Sequence, residues 1–339
     1  SASTITWLIH QKFELSIPLY RQEKEWEALG LRLSRATMSN WLLVVYRDWL
    51  VHIVPRLKLE LLKQRYLHID ETHVQVLKEP GRKNTSDSYM WVYCSIRDAV
   101  NPIRYFEYQP GRSGKYPEAF LREYEGYIHT DAYSGYNAVS GVKRCLCYTH
   151  LRRAFVDALP KDIHNSEASK PAEAILRLNQ LFNIESELEA LPPDQKKKER
   201  LIREKPLLEA FWSWAEKSAI GELPKSKLSK AFHYALNNRE GFWNYLEDGN
   251  CSISNSLAEN CIRPFVIGRK NWLFSGSPKG AEASAGIYTL VETAKANGLA
   301  PMKYIKYILS DMPGSAFLEH PEYLDDYLPW NPLVKEFCR

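Results

Sequence analysis

Long hydrophobic runs are missing from this sequence. No stretch of about 18 apolar residues occurs, so nothing in it reads as a membrane span. No basic stretch followed by an apolar core and a small-residue cleavage site opens the chain, which argues against a secretory signal. The chain starts at Ser1 rather than Met, which points to sequence missing upstream. Cysteine is sparse: Cys94, Cys145, Cys147, Cys251, Cys261 and Cys338 are scattered over 339 residues. They do not form a disulfide framework, and a reduced cytoplasmic setting fits them better. Two common enzyme motifs are also missing. The stretch GRSGK at 111–115 would need glycine at 109 to be a phosphate loop, and that position is Gln109. No G-x-S-x-G is present, so there is no nucleophile elbow.

What remains is an ordinary soluble composition, 45% apolar and 25% charged, long enough for one large domain or two. The net charge of +4 is unevenly placed. Residues 1–65 carry ten Lys/Arg against six Asp/Glu, and residues 260–306 carry seven against two. Residues 311–339 reverse this, with two against six. Two basic blocks and an acidic tail fit a polyanion touching chosen faces, or a mixed solvated surface.

The stretch YLHIDETHVQV, Tyr66 to Val76, organises the rest. It is an apolar strand-like run holding two acids, Asp70 and Glu71. A carboxylate within a buried strand is costly to ionise unless it is paired or holds a cation. Before it, residues 1–55 read as helices. PLYRQEKEWEALG has proline at a helix start and glycine at its end, and Ser34 can cap the next helix, RATMSNWLLVVYRDWL. Helix, short turn, helix is either a helix-turn-helix or a plain helical hairpin. In the first case Arg35, Thr37, Ser39 and Asn40 lie where base and phosphate contacts are made.

After Tyr66 the texture becomes strands. YMWVYCSIRD (89–98) and PIRYFEYQP (102–110) follow, then a helix at 115–124. YIHTDAY (127–133) and VKRCLCY (142–148) add two more strands, and a helix begins near His150. The fold class is α/β with a mixed five-stranded sheet flanked by helices. Asp131, like Asp70, closes an apolar run, so adjacent central strands would bring the two together. Residues 160–235 read as a helical insertion whose charges nearly cancel, thirteen basic to twelve acidic, as a solvated face requires. Trp212 and Trp214 in it read as packing residues.

The second informative stretch is SISNSLAENCIRPFVIGRKNWLFSGSPKG, 252–280. Ser254 or Asn255 can cap a helix that carries Glu259 and, one turn on, Arg263. The following segment, read as a loop, mixes Arg269, Lys270 and Lys279 with Trp272 and Phe274. Cations for phosphates beside aromatics for unpaired bases suit nucleic acid, though such a loop can also be a simple hairpin. A helix at 281–298 stops at Gly298. Asp70, Asp131 and Glu259 are thus a candidate carboxylate set. Such oxygen donors suit Mg²⁺, and a pair of ions stabilises both attacking and leaving oxygens at phosphorus.

Taken in order, HIDET, YIHTDAYSGYN, CYTHLRRAF and SLAENCIRPFVIGRKNWLFSGS resemble the insertion-sequence-66 family of DDE transposases. PLYRQE, LSRATMSNW and LPWN (328–331) match flanking pieces. The resemblance implies a ribonuclease-H-like catalytic domain over 60–300, interrupted by the 160–235 insertion. A helix-turn-helix-like DNA-binding segment would precede it at 1–55, and a short segment would follow at 301–339. It also implies that Asp70, Asp131 and Glu259 bind two Mg²⁺ or Mn²⁺ ions and are catalytic. Arg35, Asn40, Arg263, Arg269, Lys270, Trp272 and Lys279 would contact DNA. Cys147, His150 and Asn255 would support the site from behind. A zinc site at Cys147–His150 is not expected, since zinc takes about four ligands and no second Cys/His pair stands at suitable spacing. His73, His129 and His233 have no assignable partner in the sequence.

Two departures stand out. The family's Asp-Asn-Asn before the catalytic helix is Ser254-Asn255-Ser256 here, and its cysteine-rich N-terminal zinc segment is missing. The implied activity is a bacterial, cytoplasmic, nucleoid-associated transposase acting on double-stranded DNA ends and target, as a homo-oligomer assembled on DNA. Its reaction is 3′-end cleavage followed by strand transfer. A ribonuclease-H-like nuclease without strand transfer, and a domesticated DNA-binding protein without catalysis, are the alternatives.

Overall fold

The computed structural model describes residues 1–160 and 169–339, so the first residues of the expected 160–235 insertion lie outside the described residues. The chain divides into two compact units. One combines Ser1–Leu121 with Leu257–Arg339, and the other is the single stretch Arg122–Ser256. Both basic blocks therefore belong to the first unit.

The first unit opens with helices α1 (Ala2–Ile9), α2 (Leu19–Ala28), α3 (Arg35–Val45) and α4 (Val51–Leu62). Between α2 and α3 the chain turns through Gly30 at φ +83°, and Leu31 N donates to Trp26 O at 2.9 Å. Such a left-handed residue is cheap only for glycine. Ser34 then caps α3, its Oγ accepting from Thr37 N at 3.1 Å. Three antiparallel strands follow: β1 (Tyr66–Val76), β2 (Asp87–Ser95) and β3 (Arg104–Gln109). The first segment of the unit ends with α5 (Lys115–Phe120).

The second unit holds two parallel strands, β4 (Tyr127–Thr130) and β5 (Lys143–Leu146), joined in register from Tyr127↔Lys143 to Thr130↔Leu146. Helices α6 (Tyr148–Val156), α7 (Lys170–Glu187), α8 (Pro193–Ala219), α9 (Lys227–Asn237) and α10 (Arg239–Trp243) follow. Their core is aromatic: Phe155 meets Phe211 and Phe232 edge-on, and Trp212 is fully buried. Trp212 and Trp214 are packing residues, as the sequence reading had them.

Returning to the first unit, α11 (Ser256–Trp272) is followed by β6 (Phe274–Ser275), α12 (Pro278–Ala296), α13 (Pro301–Asp311) and α14 (Pro332–Cys338). Strand β6 pairs in parallel with the end of β1, Gln75↔Phe274 and Val76↔Ser275. Helix α12 is buried on nearly every side and covers β3. Two of its threonine hydroxyls accept strand N–H groups, Thr289 Oγ1 from Phe106 N at 2.8 Å and Thr293 Oγ1 from Arg104 N at 3.1 Å. Backbone donors that a sheet edge would leave open are thereby paired. Gly286 lets the helix approach, since a Cβ there would stand 2.1 Å from the Tyr46 ring. Residues 301–339, a short separate segment in the sequence reading, pack into this unit. Ala300 N donates to Cys338 O, and Tyr304 Oη to Tyr327 O, each at 2.7 Å. Across all described residues, six strands pair both parallel and antiparallel, and no helix is long and apolar enough to cross a membrane.

Candidate active site

Strand alternation separates the two acids of β1. Glu71 points to one face, where Arg112 Nε donates to its Oε1 at 2.6 Å and its side chain is only 1% exposed. This pairing gives the failed phosphate-loop stretch its purpose. Asp70 lies on the other face, with His68 and Thr72 as its neighbours along the strand. The β1–β2 register sets His68 opposite Cys94 and Asp70 opposite Val92, so Cys94 shares that face. One Asp70 carboxylate oxygen accepts from Glu71 N at 2.9 Å.

Helix α11 runs over this face and touches it at two levels. Cys261 lies beside Cys94, whose thiol is pushed well up, first by burial and then by Cys261, with Asp70 adding to the same push. Eight residues on, Arg269 Nη1 donates to Thr72 Oγ1 at 2.9 Å and to the His73 carbonyl. Residues 261–269 of a helix span about 12 Å and residues 68–72 of a strand about 13 Å, so helix and strand run in the same direction. Asp70 sits between the two contacts. Glu259 sits in the first turn of α11, half a turn before Cys261, where the helix N-terminus favours a carboxylate.

The sequence reading placed Arg269, Lys270 and Trp272 on a loop, but the helix continues through Trp272 and ends at Leu273, φ +68°. The cause is packing. Trp272 closes against Phe265 and Tyr288, and its ring lies so near Gly268 that a Cβ there would be 1.9 Å away. Burial lowers the Arg269 pKa, and its guanidinium is engaged with β1. Arg263, Lys270 and Lys279 are exposed, as are Arg35 and Asn40 at the start of α3. Asn40 and Lys279, from the two ends of the sequence, line one surface hollow of about 410 Å³ together with Tyr46, Arg47 and Glu282.

In the second unit Asp131 follows β4 directly, half-buried, and its Oδ1 accepts from Tyr133 N at 2.9 Å. Arg144 on β5 clamps this bend. Its guanidinium donates to Thr130 Oγ1 at 2.7 Å, to Asp131 O at 2.6 Å, to Tyr133 O at 2.8 Å and to Asn137 Oδ1 at 2.6 Å. Cys147 precedes α6, and Asn255 N donates to its Sγ at 3.2 Å while Tyr148 N donates to Ile253 O at 3.0 Å. The segment that enters α11 is therefore fastened to the end of β5. His150 lies half-buried in the first turn of α6. Arg112 and Arg144 were missed in the sequence because an arginine's partner is set by strand register and not by local spacing.

A family model described as Transposase IS66 family matches residues 1–283. The chain belongs to the IS66 transposase family. Among similar proteins is "Uncharacterized protein y4qI" of Sinorhizobium fredii (strain NBRC 101917 / NGR234), 28% identical over 345 residues, covering 96% of this chain and 62% of that protein. "Uncharacterized protein y4hP" of the same strain is 26% identical over 344 residues, covering 95% of this chain and 60% of the relative. "Uncharacterized protein y4jD", also of that strain, is 26% identical and is covered to 64% of its length. This IS66 family chain thus spans less than two thirds of each of these relatives.

For the metal that the family name implies, the donor chemistry fits. Asp70, Asp131 and Glu259 are each half-buried, and carboxylate oxygens are the hard donors that a divalent cation such as Mg²⁺ takes.

Proposed function

We propose that this chain is the catalytic region of a DNA transposase with a ribonuclease-H-like fold. It cleaves the 3′ ends of an insertion sequence and joins them to target DNA. Asp70, Asp131 and Glu259 serve as its metal-binding carboxylates. The observation that carries the reading is the approach of α11 to the sheet face that carries Asp70, with Cys261 beside Cys94 on β2 and Arg269 bonded to Thr72 on β1. It fastens the helix bearing Glu259 to the strand bearing Asp70.

Two Mg²⁺ or Mn²⁺ ions held by these acids would supply charge stabilisation for in-line displacement at phosphorus. The chain's own residues do the remaining work. Arg144 holds the Asp131 bend, Arg269 holds α11 against β1, and Asn255 with Cys147 fixes the entry to α11. Arg35, Asn40, Arg263, Lys270 and Lys279 neutralise and register DNA phosphates, while Trp272 stiffens the end of α11 from which Lys270 projects. Double-stranded DNA, both element ends and target, is the partner. The active form is a homo-oligomer assembled on it, in the bacterial cytoplasm at the nucleoid.

The test uses end-sequence DNA with Mn²⁺ or Mg²⁺. Asp70→Asn and Glu259→Gln should reduce strand cleavage to background and leave DNA binding nearly intact. Equal loss of both would count against these roles. Supplying a pre-cleaved end separates a transposase, which joins it to target, from a nuclease, which does not.

A further inference from the structure

A set of side chains able to hold a metal ion lies wholly within the second unit. His129 on β4, Cys145 on β5 and Cys251 in the turn before α11 place their ligand atoms within 4.8 Å of one another. All three residues are buried, each 1% exposed. The parallel register sets His129 directly opposite Cys145, so the two point to one face of the strand pair. Cys251 is delivered to them by a built turn. Its N–H donates to Asp248 O at 3.0 Å, and its carbonyl accepts from Arg200 Nη2 at 2.8 Å. Arg200 itself is fully buried, its guanidinium also bonded to Glu185, Tyr245 O and Asp248 O.

Ser252 N donates to His129 Nε2 at 2.8 Å, so that nitrogen offers a lone pair toward the turn that carries Cys251. The neighbouring Cys145 thiol first, and His129 after it, draw the Cys251 thiol toward its thiolate form against the cost of burial. Two thiols and an imidazole in a buried pocket are soft donors, the opposite of the oxygen set proposed at Asp70, Asp131 and Glu259.

We propose that His129, Cys145 and Cys251 form a buried binding site for one soft divalent cation of the Zn²⁺ class. Binding displaces the two thiol protons to solvent and exchanges the Ser252 amide for the cation at Nε2. Zinc–sulfur bonds of about 2.3 Å and zinc–nitrogen bonds of about 2.0 Å ask for donor atoms roughly 3.5 Å apart, a small closure of this trio. The fourth position falls to water. The cation would tie β4, β5 and the turn leading into α11 at one point. The sequence hides this site because its ligands are spread over more than a hundred positions with no C-x-x-C or H-x-x-H spacing.

The test uses the full chain, reduced, stripped with chelator and titrated with Co²⁺. We expect one ion per chain with a thiolate-to-cobalt charge-transfer band in the near ultraviolet. The band should vanish in Cys145→Ser/Cys251→Ser and persist in Cys147→Ser, Asp70→Asn and Glu259→Gln. In wild type, Zn²⁺ should protect Cys145 and Cys251 from alkylation read by mass spectrometry, a measurement that needs no variant to fold. Three results would overturn the proposal: no band in reduced wild type, a band that survives the double cysteine substitution, or protection of both thiols that is the same with chelator as with Zn²⁺. The last would make the trio simple core packing.

Discussion

Arg269 near the end of α11 and Thr72 on β1 are joined by a 2.9 Å hydrogen bond, with the His73 carbonyl as a further acceptor of the same nitrogen. This guanidinium, offered by the sequence as a DNA contact, is engaged in holding a helix to a strand. Arg269→Met should therefore cost stability, about 1.5–3 kcal/mol for hydrogen bonds from a charged donor. Chemical denaturation would read that loss. DNA affinity at fixed salt should change less than in Lys270→Ala.

Arg144 makes four hydrogen bonds around the Asp131 bend, two of them to carbonyls that shape it. On the proposed role of Asp131, Arg144→Met should lower strand cleavage about 10–100-fold, the usual effect of losing a group that supports a metal ligand. Dependence on Mn²⁺ concentration should shift upward while DNA binding stays near wild type. Arg144→Lys cannot reproduce the fork and should recover little.

Lys270 and Lys279 are exposed cations of one unit, and Lys279 shares its hollow with Asn40. If each meets one phosphate, Lys270→Ala and Lys279→Ala should each flatten the slope of log K against log salt by about 1. Fluorescence anisotropy across a salt series reads this directly. Exposed Lys225, in the second unit, serves as the control and should leave the slope unchanged.

Glu204 on α8 is fully buried and accepts from Tyr245 Oη at 2.6 Å, while the Arg200 fork is directed to Glu185. Burial first, and then the charge of Glu185, push its pKa from 4.5 up to about 8. The folded state therefore prefers the protonated acid. The stability this gives is whole below the unfolded value and is lost as pH rises toward about 8. Glu204→Gln keeps the hydrogen bond to Tyr245 and removes the titration. Its urea midpoint should fall less than that of wild type across that window.

Much of the strand order was legible because β1, β2 and β3 are runs rich in aromatic and β-branched residues set apart by polar, turn-forming stretches. The caps at Ser34 and Gly30 were legible for the same local reason. Asp70 could be singled out as an acid in an apolar run, but only the fold shows that its neighbour Glu71 is paired with Arg112. The end of α11 was misjudged at Gly268. Glycine there reads as a stop in isolation, yet its missing Cβ is what admits Trp272 against the helix. His129 and Cys251 were opaque for a further reason: their meeting depends on a parallel strand pair and on a turn fastened by Arg200, neither of which leaves a local signature.

The discontinuous unit carries a consequence for synthesis on the ribosome. The amides of Arg104 and Phe106 wait for threonines 189 and 183 residues later in the chain, so β3 emerges with its outer donors uncovered. Arg122–Ser256, by contrast, is one continuous stretch of chain. The newborn strand stays exposed to mispairing throughout that interval, which makes a chaperone most valuable until α12 is translated.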